Sequence, residues 1–482
     1  MRVSSRRLLA ALFLCGTAPV VLLIVASLPE LRSSSVQRIV FFGATVGACA
    51  SAVVLGRCRA RGVWGMPAAF VAVCCVFHFG LIGGLGLGLL GESSMTRYAW
   101  YWVEGEAATE AAVLSALGVW ACCAGALGAL LVRGPEPASG VGVPSGPSDA
   151  RFATVLSLVG ATVSIGALVT WLMIAAASGG IGTILGPYGN YLAAVATYGG
   201  VLAAVWLGLG LGAIALAVGA PRPARTVGMI ALTVFGAVGF PLGLRGELLF
   251  PLVAAGAAKA LAGWRPRMSA TLLGLVVLLG AVAFVRGFRE HGFTGARTGS
   301  LSVSALDGLA ELGGSLHPVE RVVLWRDQGE PALLGASYVA PFDRAISRLV
   351  PWLERPDAES DPRVLDIVVQ NRVGPIGFSV IAEAFYNWRA PGVLVVMFVL
   401  GVALDGLDRL GRSVRGRMLA GALLLPLLVH VRNGFVFVPG QMLVGTLFVV
   451  AVSLVARARL STDSRVLGPL ADPEGEGRRR AA

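Results

Sequence analysis

Runs of about 20 apolar residues recur from one end of this chain to the other, and they restrict its fold more than any other feature. Each run can cross about 30 Å of hydrocarbon as a helix, whose backbone polar groups are then satisfied within the segment. Twelve such runs can be marked, at roughly 8–28, 36–55, 67–90, 109–132, 152–177, 191–218, 226–241, 247–263, 268–286, 391–407, 418–437 and 439–456. The 482 residues are 56% hydrophobic and only 14% charged, which excludes an ordinary soluble domain. The expected fold is an all-α polytopic membrane protein of about 12 transmembrane helices. Arg2, Arg6 and Arg7 precede the first run as in a signal peptide. No small-residue cleavage site follows, so that run reads as a retained anchor.

The net charge of +12 does not point to nucleic acid. The basic residues sit in short clusters between apolar runs, the pattern that orients membrane proteins. Arg57/Arg59/Arg61, Arg222/Arg225, Arg265/Arg267, Arg409/Arg412/Arg415/Arg417 and the tail from Arg457 to Arg480 fall on one side if both termini are cytosolic. The 91–110 loop is acidic, with Glu92, Glu104, Glu106 and Glu110. The expected location is the cell (plasma) membrane, with both termini in the cytosol.

Spans 1–4 then occupy 1–132, and a Pro/Gly-rich segment, 133–150, reads as a disordered cytosolic linker. Spans 5–9 fill 151–287 and spans 10–12 fill 391–457; a basic, disordered cytosolic tail takes 458–482. Between spans 9 and 10 lies a large, partly helical extracytoplasmic loop, 288–390, holding 13 of the 27 acidic residues and 10 arginines. Val303–Leu312 and Tyr338–Leu353 read as amphipathic helices, so the loop is expected to be an ordered cap. A loop of this length is commonly functional. The seven cysteines lie in apolar runs or a basic loop and read as small buried residues, not as a disulfide or metal framework.

Ionisable groups in the outer half of a membrane are functional candidates by default. Arg245 and Glu247 open the eighth span, Arg286 and Arg289 end the ninth, and His430, Arg432 and Asn433 lie towards the outer end of the eleventh. Glu383 and Asn387 lead into the tenth. Arginines where topology does not ask for them suggest an anionic ligand, because planar guanidinium groups grip phosphate bidentately. Plainer readings compete: a snorkelling ion pair for Arg245 with Glu247, a span end for Arg286, and a buried acid beside Arg432. His317 and His291 also read as solvated loop residues, and Tyr98, Trp100, Tyr101 and Trp102 as an interfacial belt. Nucleotide-binding glycine loops, His-Glu-x-x-His and Gly-x-Ser-x-Gly are absent from the sequence.

Three segments resemble the Wzy-type O-antigen or oligosaccharide repeat-unit polymerases: Gly-Leu-Arg-Gly-Glu at 243–247, Ser-Val-Ile-Ala-Glu-Ala-Phe-Tyr-Asn-Trp at 379–388, and Val-Arg-Asn-Gly-Phe at 431–435. The long outer loop fits as well. Where that family tends to have glycine after Asn-Phe, this chain reads Trp388-Arg389-Ala390-Pro391-Gly392. The resemblance implies a glycosyl transfer at the outer membrane face without metal or cofactor. A polyprenyl-pyrophosphate-linked oligosaccharide would pass its chain to a sugar hydroxyl on a second lipid-linked unit. Arg245, Arg286 and Arg432 would hold the pyrophosphate, with Arg289, Glu247, Asn387 and His430 around the substrate. The general base would be Glu383, Glu247 or His317, with Glu383 ahead. Membrane lipid, a flippase and a chain-length regulator are the partners that follow, and nucleic acid is not among them.

Two alternatives remain. An O-antigen-ligase-like transferase would use the same groups on another acceptor. A 12-span secondary transporter is suggested by Leu404-Asp405-Gly406-Leu407-Asp408-Arg409-Leu410-Gly411-Arg412, which resembles the Gly-x-x-x-Asp-Arg-x-Gly-Arg loop of major facilitator transporters. There the loop follows the second span, and here it follows the tenth.

Overall fold

The computed structural model describes residues 5–28, 30–32, 36–91, 100–134, 146–180, 189, 196–295, 304–350, 352 and 357–466, apart from the side chains of 32, 286–295, 348–349 and 459–466. Among these residues all regular structure is helical. Among the described residues, nine helices are long and apolar enough to cross a membrane, and the chain is a polytopic membrane protein. They comprise α1 (Ser5–Ala26), α2 (Gln37–Cys58), α3 (Met66–Gly86), α4 (Glu106–Arg133), α5 (Pro147–Ala177) and α6 (Gly199–Val218), followed by α9 (Met268–Gly295), α14 (Val380–Arg409) and α16 (Val438–Val466). Three shorter helices occupy the other expected places: α7 (Pro223–Gly239), α8 (Gly246–Ala260) and α15 (Val414–His430). Their 17, 15 and 17 residues give about 22–25 Å at 1.5 Å per residue, short of the hydrocarbon thickness. The expected linker and tail fall largely on 135–145 and 467–482, outside the described residues.

The basic loops gather at one end. Arg7 Nη2 donates to the Leu131 carbonyl, and Arg265 Nη2 to the Ala60 carbonyl at 3.1 Å. The Val414 N–H reaches Asp149 Oδ2 at 3.3 Å, and Ser157 Oγ the Ala220 carbonyl at 2.7 Å. The ends of α1, α2, α4, α5, α6, α8 and α15 that carry or adjoin arginine clusters therefore share this basic end.

Here the aspartates of the transporter-like segment form a buried lock. Asp405 pairs with Arg59 at 2.7 Å, Arg409 at 2.8 Å and Arg133 at 3.3 Å. Asp408 pairs with Arg59 at 3.0 Å and Arg61 at 3.3 Å, and accepts from the Met66 N–H at 3.0 Å. The network ties α2, α3 and α4 to α14. Small residues bring the last two close: a Cβ on Gly125 would strike the Phe398 carbonyl, and one on Gly401 the Cys122 carbonyl, the small-residue packing common between membrane helices.

At the opposite end, residues 304–350 and 357–379 form a set of short helices leading into α14, called the cap below. The two amphipathic segments are helical, as α10 (Ala305–Leu312) and α12 (Ala336–Leu349), joined by α11 (His317–Asp327) and α13 (Leu365–Arg372). Far from lying flat, α10 is wedged among the spans. A Cβ on Gly80 of α3 would meet the Leu309 carbonyl, and one on Gly308 the Leu279 carbonyl of α9. Trp102 stacks on His317 at 4.6 Å and Trp100 is buried. Of the aromatic residues expected in a belt, Trp102 thus packs on a cap ring and Trp100 is in the core.

Candidate functional site

The site is built where α14 begins. Ser379 caps that helix, its Oγ accepting from the Ile381 N–H at 3.2 Å and donating to His78 Nε2 at 2.8 Å. His78 Nδ1 in turn donates to the Cys74 carbonyl at 3.1 Å. One turn into α14, Glu383 is 1% exposed. Its Oε2 accepts from the Phe435 N–H at 2.7 Å, and the Ser337 hydroxyl donates to the same carboxylate. Asn387, one turn on, holds the cap in register. Its Nδ2 donates to Ser337 Oγ and to the Glu383 carbonyl, each at 2.8 Å, and its Oδ1 accepts from the Gly335 N–H at 2.7 Å.

Asp366, on α13, lies beside this group and was not singled out in the sequence. Both of its carboxylate oxygens accept from the Gly434 N–H, at 2.9 and 2.8 Å. Consecutive backbone N–H groups, of Gly434 and Phe435, thus serve two carboxylates from different elements. A Cβ on Gly434 would sit 2.6 Å from Asp366 Oδ2 and 3.7 Å from Glu383 Oε2, so only glycine admits both. Burial pushes the Asp366 carboxyl up to about 6, against the opposing hydrogen bond from Gly434.

The turn that offers these N–H groups is held by the end of α15. His430 Nδ1 donates to the Asn433 carbonyl at 2.8 Å and Asn433 Nδ2 to the Val429 carbonyl at 3.0 Å. The Arg432 carbonyl accepts from the Phe378 N–H at 2.8 Å, which places Arg432 beside Gly377 at the approach to α14. Among the described residues, no ion pair includes Arg432, Glu383 or Asp366. Tyr338, on α12, packs edge-on against Phe435 at 5.1 Å, and its buried hydroxyl finds no hydrogen-bond partner among the described residues. Burial, then the neighbouring Glu383, push this phenol up, so it stays a proton donor. An unmet buried donor costs about 1–3 kcal/mol, and such groups mark places where a ligand completes the pairing.

Glu383, Asn387, His430 and Arg432 therefore share one neighbourhood, joined by the unforeseen Asp366, Ser337 and Tyr338. Arg245 sits on the other flank of α3. It is 3% exposed and its Nη1 donates to Glu311 Oε1 of α10 at 2.9 Å; Glu247 is half-buried in the first turn of α8. Phe77 of α3 packs at a tilt against Phe250 of α8, with centroids 5.4 Å apart, and His78 touches Ser379, so α3 separates and links the two groups. His317 accepts from Arg321 Nε at 3.0 Å as well as stacking on Trp102. Burial, then Arg321, hold it down near 4, a neutral packed ring. The side chains of Arg286 and Arg289 lie outside the described residues.

The break in α14 falls where the sequence departs from the family pattern. Trp388 (φ −142°, ψ 21°) and Arg389 (φ 55°, ψ −153°) leave helical geometry, dividing it into 380–387 and 390–409. The position at which glycine was expected has a positive φ, and an arginine occupies it.

Over 202 residues the chain is 27% identical to Protein CapE of Staphylococcus aureus, a stretch that takes in 42% of this chain and 44% of that protein. No family model and no solved structure matches the chain.

Proposed function

We propose that this protein polymerises polyprenyl-pyrophosphate-linked oligosaccharide repeat units at the outer membrane face, as the Wzy-type polymerases do. The observation that carries the reading is Glu383: a buried carboxylate held by a hydroxyl and a backbone N–H, beside Asp366, under a helical cap. Neutral donors orient such a group without neutralising it, so it can still take a proton. In the proposed step, Glu383 removes the proton from an acceptor sugar hydroxyl, and that oxygen bonds to the anomeric carbon of the donor. The bond from that carbon to the pyrophosphate breaks, and its electron pair leaves with the phosphate. Arg432 is the nearest cation in sequence to the turn at Gly434, and Arg245, paired with Glu311 on the other flank of α3, is the second candidate. Guanidinium groups preorganised on the leaving group lower the barrier where charge grows. The partial likeness to Protein CapE agrees with a place in cell-surface polysaccharide synthesis.

The test is to delete the gene and size the surface polysaccharide. Single-repeat products, restored to long chains by the wild-type gene but not by the gene for Glu383→Gln, support polymerisation. Unchanged chain length refutes it. Long chains that fail to reach their final acceptor indicate the ligase-like activity instead.

A further inference from the structure

The cap end holds an exposed ring that packing has fixed in place. Trp388 is 41% exposed, one residue beyond Asn387 and five beyond Glu383. Tyr338 lies parallel to it, with centroids 5.5 Å apart and planes within 7°. Its edge meets the backbone at Gly335, where a Cβ would come within 2.9 Å of the indole Cζ2 and where φ is +94°. The helix break at Trp388–Arg389 turns this residue out of α14. Three separate devices thus set the orientation of an exposed indole: a ring behind it, a left-handed glycine at its edge and a broken helix beneath it.

A membrane-interface tryptophan needs none of them, since an interfacial anchor works in many orientations. A ring that must meet a flat ligand needs all of them, because a ring immobilised beforehand binds at little further entropic cost. The same aromatic group leads inward, from Trp388 to Tyr338 to Phe435, whose N–H binds Glu383. The buried, unmatched Tyr338 hydroxyl lies along this path. The apolar C–H face of a pyranose carries small positive charges and is the ligand chemistry suited to the negative face of an aromatic ring.

We infer that Trp388, backed by Tyr338, is a saccharide-stacking subsite that holds a pyranose ring of the glycan beside Glu383. This deepens the polymerase reading and rests on it for the identity of the glycan. The experiment reads binding alone, so the two can fail separately. The full chain, purified in detergent, is titrated with oligosaccharide fragments released by mild acid from the host's own surface polysaccharide, and saturation-transfer NMR follows the bound fraction. Wild-type protein saturates, and Trp388→Leu weakens binding by about tenfold, the loss of one ring stack. Trp388→Phe stays within about threefold, because a ring remains. Trp352→Leu, which removes a loop tryptophan that is 83% exposed, changes nothing. If Trp388→Leu does not elute as a single species, Trp388→Met, ringless and adaptable in packing, is expected to show the same loss. Binding by a folded ringless variant within about twofold of wild type overturns the inference, as does a wild-type protein with no saturable signal. Unchanged polysaccharide length on gene deletion, with Trp388-dependent binding intact, sinks the polymerase reading and leaves the sugar site standing.

Discussion

Arg389 is expected to be a worse residue than glycine at its own position. Its φ of 55° with ψ of −153° lies in a region that residues with a Cβ almost never enter, at a cost of order 1–3 kcal/mol. The side chain is exposed and, among the described residues, forms no ion pair, so nothing visible offsets the strain. Arg389→Gly removes the Cβ clash but loosens the unfolded chain by about 0.5–1 kcal/mol. The net expectation is stabilisation by about 0.5–2 kcal/mol, or roughly 1–4 °C in Tm. The measurement is thermal unfolding of the purified protein in detergent, with all variants at one scan rate because membrane proteins often unfold irreversibly. Arg389→Ala is the control: it deletes charge and length but keeps the Cβ, so its Tm should match wild type. If the glycine variant melts no higher than the alanine variant, the backbone at this break is not strained and the reasoning fails.

Glu383→Gln keeps an acceptor for the Phe435 N–H yet cannot take a proton, so it should fold normally and slow polymer extension by about 10²–10⁴-fold, read from extension of lipid-linked repeat units in vitro. For Asp366 the sign is that of a raised carboxyl. Its contribution to stability is present below its ordinary value near 3.8, and it is lost as pH rises through about 6. A pH series of melting temperatures should therefore fall more steeply over that window in wild type than in Asp366→Asn, and equal slopes would show that the carboxyl is not buried in the folded state. Asp408→Asn leaves the buried guanidinium groups of Arg59 and Arg61 without part of their counter-charge and should cost about 3 kcal/mol, measured by thermal unfolding; a loss under about 1 kcal/mol would mean the basic-end lock is solvated.

The helices could be read from composition because a lipid environment leaves a chain few choices. An apolar run with satisfied backbone is a helix whatever its neighbours do, and each of the twelve marked runs contains one. The amphipathic cap helices were legible for the same periodic reason. Asp366 was not, because nothing local separates its carboxylate from the other loop acids. It becomes special only when α13 folds against Gly434, 68 residues away. Tyr338 and Ser337 were hidden likewise, their partners lying on α14. The aspartates at 405 and 408 resembled a transporter motif because both uses need acids facing basic loops; only the pairing with Arg59 and Arg61 of α2–α3 identifies a lock.

The Asp405/Asp408 lock and the Glu383/Asp366 group treat charge in opposite ways, and the contrast bears on where chemistry can occur. At the basic end, two aspartates meet four arginines, each of the two has more than one cation, and the cluster joins three other elements to α14. Protonating either aspartate would leave the buried Arg59 without part of its counter-charge, so such a cluster resists proton transfer and suits a fixed anchor. At the candidate site, Asp366 and Glu383 each accept from their own backbone N–H, of Gly434 and Phe435, with no cation of the described residues paired to them, while a tyrosine hydroxyl waits beside them. With no cation paired to them, these carboxylates can respond to what enters. A ligand bringing hydroxyl groups and a diphosphate would supply both things this end lacks, an acceptor for the tyrosine and an anion for Arg432. The same helix, α14, carries both arrangements, one at each side of the break at Trp388–Arg389. The locked half therefore fixes the position of the half that carries Glu383 and Asn387.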